Sequence, residues 1–132
     1  MSHRETVQQI YAAFNQGNVP AILERLAEDV EWEHDTVDHG IAVLQPRRGR
    51  REVAGFFEGL AVLEFTRFEV ANVLEGGNQV VAVCHVDHVH KKTGKRFSDL
   101  ELHLWTFGER GQVTRFRHLV DSHQLWLQQQ PG

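Results

Sequence analysis

Apolar residues recur at helical spacing in two segments of the amino-terminal half of the chain. Intervals of three and four residues predict a helix with one apolar face, formed by Val7, Ile10, Tyr11 and Phe14. The same intervals predict a further helix whose buried face carries Val53, Phe56, Phe57 and Leu60. Between them we expect a short helix capped by Asn18, with Ile22, Leu23 and Leu26 facing inward, and a short strand over residues 30–34.

From residue 65 onward the pattern changes to long runs of β-branched and aromatic residues. They predict strands over residues 65–74, 79–91, 96–107 and 112–120, separated by glycine-containing turns. A short helix over residues 121–129 is expected to close the chain, with Asp121 as its N-cap rather than as a catalytic acid. Helices followed by a meander of strands predict an α+β fold, with the helices covering one face of a curved antiparallel sheet, in a single domain of residues 1–132.

Turn lengths then set which side chains share a face of the sheet. A two-residue turn at Thr93 and Gly94 would place Cys84 opposite His103. A four-residue loop over residues 108–111 would place Glu101 opposite His118. One face then mixes aromatic and ionisable groups, as ligand pockets do: Cys84, Val86, Glu101, His103, Trp105, Phe116 and His118. The other face is almost uniformly apolar, which predicts a homodimer interface formed by Val81, Val83, Val89, Leu100, Leu102 and Leu104.

Composition narrows the class of protein. A formal net charge of −4 argues against a nucleic-acid-binding surface, and the basic run over residues 46–51 is expected to be a solvated loop leading into a helix. The lone cysteine, Cys84, permits no internal disulfide and fits a reducing compartment, where it would act as a small apolar side chain. The first residues lack the apolar segment of a signal peptide, and no membrane span is expected. A soluble cytoplasmic protein is therefore predicted.

The ionisable groups of the mixed face are the candidate catalytic residues. His118 and His103 could form an acid/base pair because imidazole titrates near neutrality, and Glu101 could orient one ring. The alternative is a cluster of polar side chains that hydrogen-bond one another in a pocket that binds a ligand without catalysis. Contacts to an apolar ligand are expected from Trp32, His34, Cys84, Val86, Trp105 and Phe116, although both tryptophans could equally be part of the core.

The nine histidines also raise the question of a metal site. Strand alternation sends His85 and Asp87 to one face and His88 and His90 to the other. A loop holds His34, Asp35, Asp38 and His39 in no geometry that the sequence defines. Glu101, His103 and His118 offer plausible ligand chemistry, but nothing shows the spacing of a known site. We therefore expect neither a metal nor another cofactor.

Several segments, taken in order, carry a resemblance to a known superfamily. They include IYAAFNQGN (residues 10–18), EDVEW (28–32), GRREV (49–53), TGKRF (93–97), LHLW (102–105), GQV (111–113) and FRHLVD (116–121). In these the chain resembles the nuclear-transport-factor-2-like superfamily, specifically its SnoaL-like branch of polyketide cyclases and relatives of ketosteroid isomerase. The resemblance implies a cone of curved antiparallel sheet around three helices, a pocket at the open end and dimers formed through the outer sheet face.

The resemblance also implies site residues. The acid/base carboxylate of the cyclases falls at His118, and their pocket glutamine and histidine fall at Glu101 and His103. The neutral aspartate that binds the oxyanion in ketosteroid isomerase, a known case of a raised carboxyl pKa, aligns with His103, and the base of that enzyme falls near residues 32–34. In limonene epoxide hydrolases the arginine and the second aspartate would fall on Cys84 and Val86, which cannot replace them. Epoxide hydrolysis by that triad is therefore not expected.

Three functions remain open at this point. An enzyme would move a proton next to the carbonyl of a polyketide- or steroid-like compound, with His118 as base and His103 donating to the enolate oxygen. A binding protein would sequester or sense an apolar metabolite with the same pocket. A purely structural dimer would use the fold alone, since one fold hosts many functions.

Overall fold

A computed structural model describes residues 1–34 and 40–132 of the chain, so Asp35, Asp38 and His39 of the histidine-rich loop lie outside the described residues. The elements are α1 (His3–Asn15), α2 (Val19–Leu23), β1 (Leu26–Glu33), β2 (Arg47–Arg48), α3 (Gly49–Gly59), β3 (Leu63–Gly76), β4 (Gln79–His90), β5 (Arg96–Phe107), β6 (Val113–Leu119) and α4 (Ser122–Gln129). The α+β prediction is confirmed.

Side-chain caps fix where three of the helices begin. Ser2 Oγ accepts the amide N–H of Glu5 at the start of α1, and Asn18 Oδ1 accepts that of Ala21 in α2. Asp121 Oδ1 accepts the amide N–H of Gln124 at 3.0 Å, which confirms its predicted capping role at α4. These bonds satisfy backbone N–H groups that have no partner within the first turn of each helix.

The six strands form one curved, unclosed sheet in the order β2-β1-β6-β5-β4-β3. All neighbouring pairs are antiparallel except β1 and β6, which run parallel. This parallel pair was not expected, and it places the end of β1 beside the end of β6, with Glu33 opposite Arg117. Burial alternates along β4 and β5, so one face of the sheet meets the helices and the other faces outward.

The inner face and the helices share one core. Val7, Val53 and Phe56 are buried as predicted, whereas Phe14, Phe57 and Leu60 are only partly buried, because they border a cavity. Leu26 is fully buried but belongs to β1, since α2 ends at Leu23. The predicted inward position of Leu26 is therefore confirmed in a different element.

The basic run does not form the expected solvated loop. Arg47 and Arg48 form β2, which pairs with β1, and α3 begins at the next residue. The Arg47 guanidinium donates to the carbonyl oxygens of Glu52 and Ala42, and Arg50 Nε donates to that of Leu26 at 2.8 Å. These arginines join the segment before α3 to its neighbours through side-chain bonds to backbone carbonyls.

Both predicted strand registers are wrong by two residues, although the predicted faces are right. Cys84 lies opposite Glu101, and His103 lies opposite His118. The loop after β4 is longer than two residues because His90 Nδ1 accepts the amide N–H groups of Lys92 and Thr93 and holds the loop open. A shift of two leaves every side chain on its predicted face, since the side-chain period of a strand is two.

Candidate active site

An apolar cavity lies between the inner face of the sheet and the helices α1 and α3. Most of the lining is aromatic or aliphatic, and the polar exceptions are Tyr11, His88, Glu101, His103 and His118. Pockets of this kind bind small molecules through apolar contacts and use a few polar groups to orient them.

Glu101 is the centre of the polar cluster. Its Oε1 accepts a hydrogen bond from His103 Nε2 at 2.9 Å and another from His118 Nε2 at 2.7 Å. His103 lies two positions along β5, on the same face, and His118 lies opposite it on β6. Glu101 Oε2 forms no hydrogen bond within residues 1–34 and 40–132, and Glu101 lines the cavity. A ligand in the cavity can therefore reach one oxygen of a carboxylate whose other oxygen is fixed.

The second nitrogen of His103 is held from α1. An ionised carboxylate only accepts, so the proton of a neutral His103 ring lies on Nε2 and its Nδ1 has a free lone pair. Tyr11 donates its hydroxyl to that Nδ1 at 2.6 Å, and Trp105 Nε1 donates to the Tyr11 oxygen at 3.1 Å. Burial raises the pKa of Tyr11 well above its usual value. Tyr11 is therefore a neutral donor that sets the tautomer of His103.

His34 holds the second nitrogen of His118 in the same way. The two Nδ1 atoms lie 3.0 Å apart, because the parallel pairing of β1 and β6 brings these residues together. While the His118 ring is neutral and donates Nε2–H to Glu101, its Nδ1 accepts from His34 Nδ1–H, and His34 Nε2 is then a buried lone pair without a partner in the described part of the chain. When His118 is protonated, the direction of the Nδ1–Nδ1 bond reverses and His118 donates to His34. Burial and the nearby charge of His118 lower the pKa of His34 to about 3, so this ring is neutral at physiological pH.

The charge of the cluster resides on Glu101. Burial alone would raise its pKa, but the positive charge of His118 and the hydrogen bonds from His103 and His118 lower the pKa of Glu101 to about 2. The carboxylate is therefore ionised while only 4% of the residue is exposed. A buried charge is tolerated here because two N–H groups solvate it.

The same three side chains have the donor set of a metal site. Glu101, His103 and His118 each offer one ligand atom, and these atoms lie within 4.8 Å of one another. However, Glu101 Oε1 and the two Nε2 atoms already satisfy one another as hydrogen-bond partners. The arrangement is accounted for without an ion, and we assign none to it.

Four of the six expected ligand-contacting residues line the cavity: Trp32, Val86, Trp105 and Phe116. Trp32 stacks on Phe116, with ring centroids 4.0 Å apart. His34 and Cys84 were also expected to contact a ligand, but they lie behind the residues that line the cavity. His34 contacts His118, and Cys84 Sγ lies 3.8 Å from His103 Nδ1. Burial raises the pKa of the Cys84 thiol to about 11, which fits its expected role as a small apolar side chain.

The sequence analysis missed the polar roles of Tyr11, His88 and Gln128. Tyr11 belongs to the predicted apolar face of α1. Its hydroxyl is the one polar group among Val7, Ile10, Tyr11 and Phe14, and this was the sequence signal for its hydrogen bond to His103. His88 was considered only as a metal ligand, whereas its ring lines the cavity and contacts Gln128 of α4. Nothing in the local sequence indicates the Gln128 contact, since 40 residues separate the two side chains.

Comparisons with known proteins agree with this architecture. The family model of the SnoaL-like domain matches residues 7–116. An NTF2-like protein of unknown function from Burkholderia pseudomallei is 24% identical, with 97% of this chain and 98% of that one covered and a TM-score of 0.85. TerC, co-crystallised with polyporic acid, is 22% identical over 96% of this chain and 98% of its own, with a TM-score of 0.82.

A Mesorhizobium loti protein provisionally called a SnoaL-like polyketide cyclase is 19% identical over 89% of this chain and 98% of its own, with a TM-score of 0.73. No curated protein matches the chain. At these identities the solved structures show the fold, and the family model, which spans most of the chain, shows the family. The chain belongs to the SnoaL-like domain family and has the fold of NTF2-like proteins.

Proposed function

We propose that this protein binds a hydrophobic carbonyl compound of polyketide-like or steroid-like character and moves a proton next to the carbonyl, as an isomerase or cyclase does. The proposal treats residues 1–132 as one SnoaL-like domain without a cofactor. The observation that carries it is the buried, ionised Glu101 at the wall of an apolar cavity, held through one oxygen by two imidazoles. Two proteins of the same fold support this ligand class: TerC, which was co-crystallised with polyporic acid, and the protein provisionally called a polyketide cyclase.

The geometry favours Glu101 as the group that meets the substrate proton. Both ring nitrogens of His103 and of His118 are already hydrogen-bonded, whereas Glu101 Oε2 faces no donor in the described residues. The proton of the C–H bond passes to Oε2, and the electron pair of that bond forms the enolate. Neutralising Glu101 weakens its charge-assisted bonds to both rings. Their N–H groups then become available to the enolate oxygen, which is the role expected of His103. Glu101 Oε2–H returns the proton to the product carbon, and His118, which was expected to be the base, acts through its N–H bond to Glu101.

The alternative is a binding protein without chemistry. A carboxylate whose pKa is lowered to about 2 is a weak base, and a fully paired cluster of this kind also suits a site that only orients a ligand. Both functions use the same cavity. They differ in whether a proton leaves the ligand.

Exchange of deuterium from buffered D₂O into the α-position of a panel of cyclic ketones and polyketide-like diketones distinguishes the two. We expect wild-type protein to accelerate exchange into at least one of them, and Glu101→Gln to lower that rate by about 10²- to 10⁴-fold while the ligand still binds. His85→Asn is the matched control, because His85 lies on the outer face of β4. Ketones that bind without exchange would establish the binding protein, and Glu101→Gln with an unchanged rate would contradict the role of Glu101.

We also propose that the outer face of the sheet forms a homodimer. Four leucines of this face expose between 38% and 53% of their surface, namely Leu74, Leu100, Leu102 and Leu119. Leu102 lies between Val83 and Leu119 in adjacent strands, so the exposed apolar surface is continuous. A second copy would cover it with an identical patch, as in other two-fold dimers.

A cytoplasmic location is proposed on one ground, the single reduced cysteine. Among the described residues no helix is both long enough and apolar enough to span a membrane.

A further inference from the structure

The second polar feature of the cavity is His88, which the proposed reaction does not use. It is 3% exposed and lines the cavity. Along β4 it lies four residues beyond Cys84, the partner of Glu101, and at about 3.3 Å per residue this corresponds to roughly 13 Å. Val86 lies between them on the same face. The two polar features are therefore separated by an apolar stretch of wall.

The proton of the His88 ring can be placed from its neighbours. Gln128 Nε2 lies 3.0 Å from the carbonyl oxygen of Lys95 and 3.4 Å from that of His88. Turning the amide over would set its oxygen against these two carbonyls, so the nitrogen must face them. The same nitrogen lies 3.1 Å from His88 Nδ1, and because an amide nitrogen only donates, Nδ1 accepts. The proton of the neutral ring is therefore on Nε2.

That Nε2–H has no acceptor in residues 1–34 and 40–132, although Nδ1 and the ring faces are all occupied. The ring stacks on Phe97 at 4.4 Å and forms a T-shaped contact with Phe65 at 5.3 Å, which fix its plane, and the bond to Gln128 fixes which edge carries Nδ1. Burial lowers the pKa of His88 to about 4, which keeps the ring neutral near pH 7. The Nε2 atom is not enclosed by protein, so a ligand or water in the cavity can reach it and supply the acceptor.

We propose that His88 Nε2–H is a ligand-binding subsite that accepts a carbonyl or ether oxygen at the end of the ligand remote from Glu101. The ligand is then an elongated apolar molecule with an oxygen acceptor at one end and the reacting carbonyl at the other. Gln128 is a positioning residue, since it fixes the tautomer without reaching the ligand. This inference rests on the proposed function in one respect only, that the cavity takes a small molecule.

Two measurements test it. In protein labelled with ¹⁵N-histidine, long-range ¹H–¹⁵N spectra at pH 7 should show His88, identified by its loss in His88→Phe, as the neutral Nε2–H tautomer. Calorimetry with 4-acetylbiphenyl and 4-isopropylbiphenyl, which differ in the acceptor oxygen, should show that wild type prefers the ketone by about three- to tenfold. His88→Phe should abolish this preference, and His88→Gln, which keeps a donor, should restore part of it.

The outcomes separate this inference from the proposed reaction. Glu101→Gln should leave the ketone preference unchanged, and a His88-dependent preference without deuterium exchange would support the subsite and contradict the enzyme. An Nδ1–H tautomer, a charged ring at pH 7, or equal preference in wild type and His88→Phe would overturn the subsite and leave the reaction standing. Binding of neither biphenyl would also count against it. Circular dichroism of each variant controls for loss of fold.

Discussion

Glu101→Gln should change how the protein responds to acid as well as its activity. The pKa of Glu101 is lowered from 4.5 to about 2 by its imidazole neighbours, against the opposing effect of burial. At 1.36 kcal/mol for each unit of pKa this corresponds to about 3 kcal/mol of folding free energy. Because the folded pKa lies below the unfolded one, the contribution is complete above pH 4.5 and is lost as the pH falls toward 2.

The variant keeps the shape of the side chain and removes the charge. We therefore expect the free energy of unfolding of wild type to exceed that of Glu101→Gln by about 3 kcal/mol at pH 6, and this difference to shrink in acid. Urea titrations followed by tryptophan fluorescence, over the pH range in which both proteins fold, measure it. Glu69→Gln is the control, since Glu69 is exposed and pairs only with Arg67 among the described residues. A difference that does not depend on pH, or a variant as stable as wild type at pH 6, would refute the reasoning.

Three further expectations follow from burial and exposure. As the pH falls from 6.5 to 4, the unfolded chain binds a proton at His88 before the folded protein does. The free energy of unfolding of wild type should therefore fall by about 3 kcal/mol more than that of His88→Phe over this range. Parallel pH profiles for the two proteins would contradict this. Phe56→Ala should lower the free energy of unfolding by about 3–5 kcal/mol in the same titrations, and a loss below about 1 kcal/mol would place Phe56 outside the core. Leu102→Glu should convert a dimer to a monomer in light scattering, and a wild-type monomer at micromolar concentration would refute the dimer.

The strands and the faces of the sheet could be predicted from the sequence because alternation is a local property. The register could not, since the loop after β4 takes its length from His90, whose ring binds backbone N–H groups there, and from Thr93, which donates to the carbonyl of Gln128. The contact of Thr93 with Gln128 depends on where α4 docks. An error of two residues preserved the faces, whereas an error of one would have reversed them.

Part of the candidate site could likewise be predicted from the sequence and part could not. Glu101, His103 and His118 could be grouped because neighbouring strands of a hairpin share faces. The contacts to Tyr11 and His34 could not be foreseen, because one requires the docking of α1 and the other the parallel pairing of β1 with β6. The sequence was therefore enough to group the residues of the candidate site but not to indicate the side chains that set their tautomers.

The parallel pairing of β1 and β6 has a consequence for how the chain folds. The contact between His34 and His118 joins residues 84 positions apart, and closing so long a loop is slow. Until β6 emerges during synthesis, β5 has an unpaired edge, and β1 pairs only with the two residues of β2, so that the β1–β2 pair is not yet joined to β5. Exposed strand edges promote pairing with other chains. Aggregation during synthesis should therefore compete with folding at this step, and the cluster of Glu101, His103 and His118 is completed only when the last strand is in place.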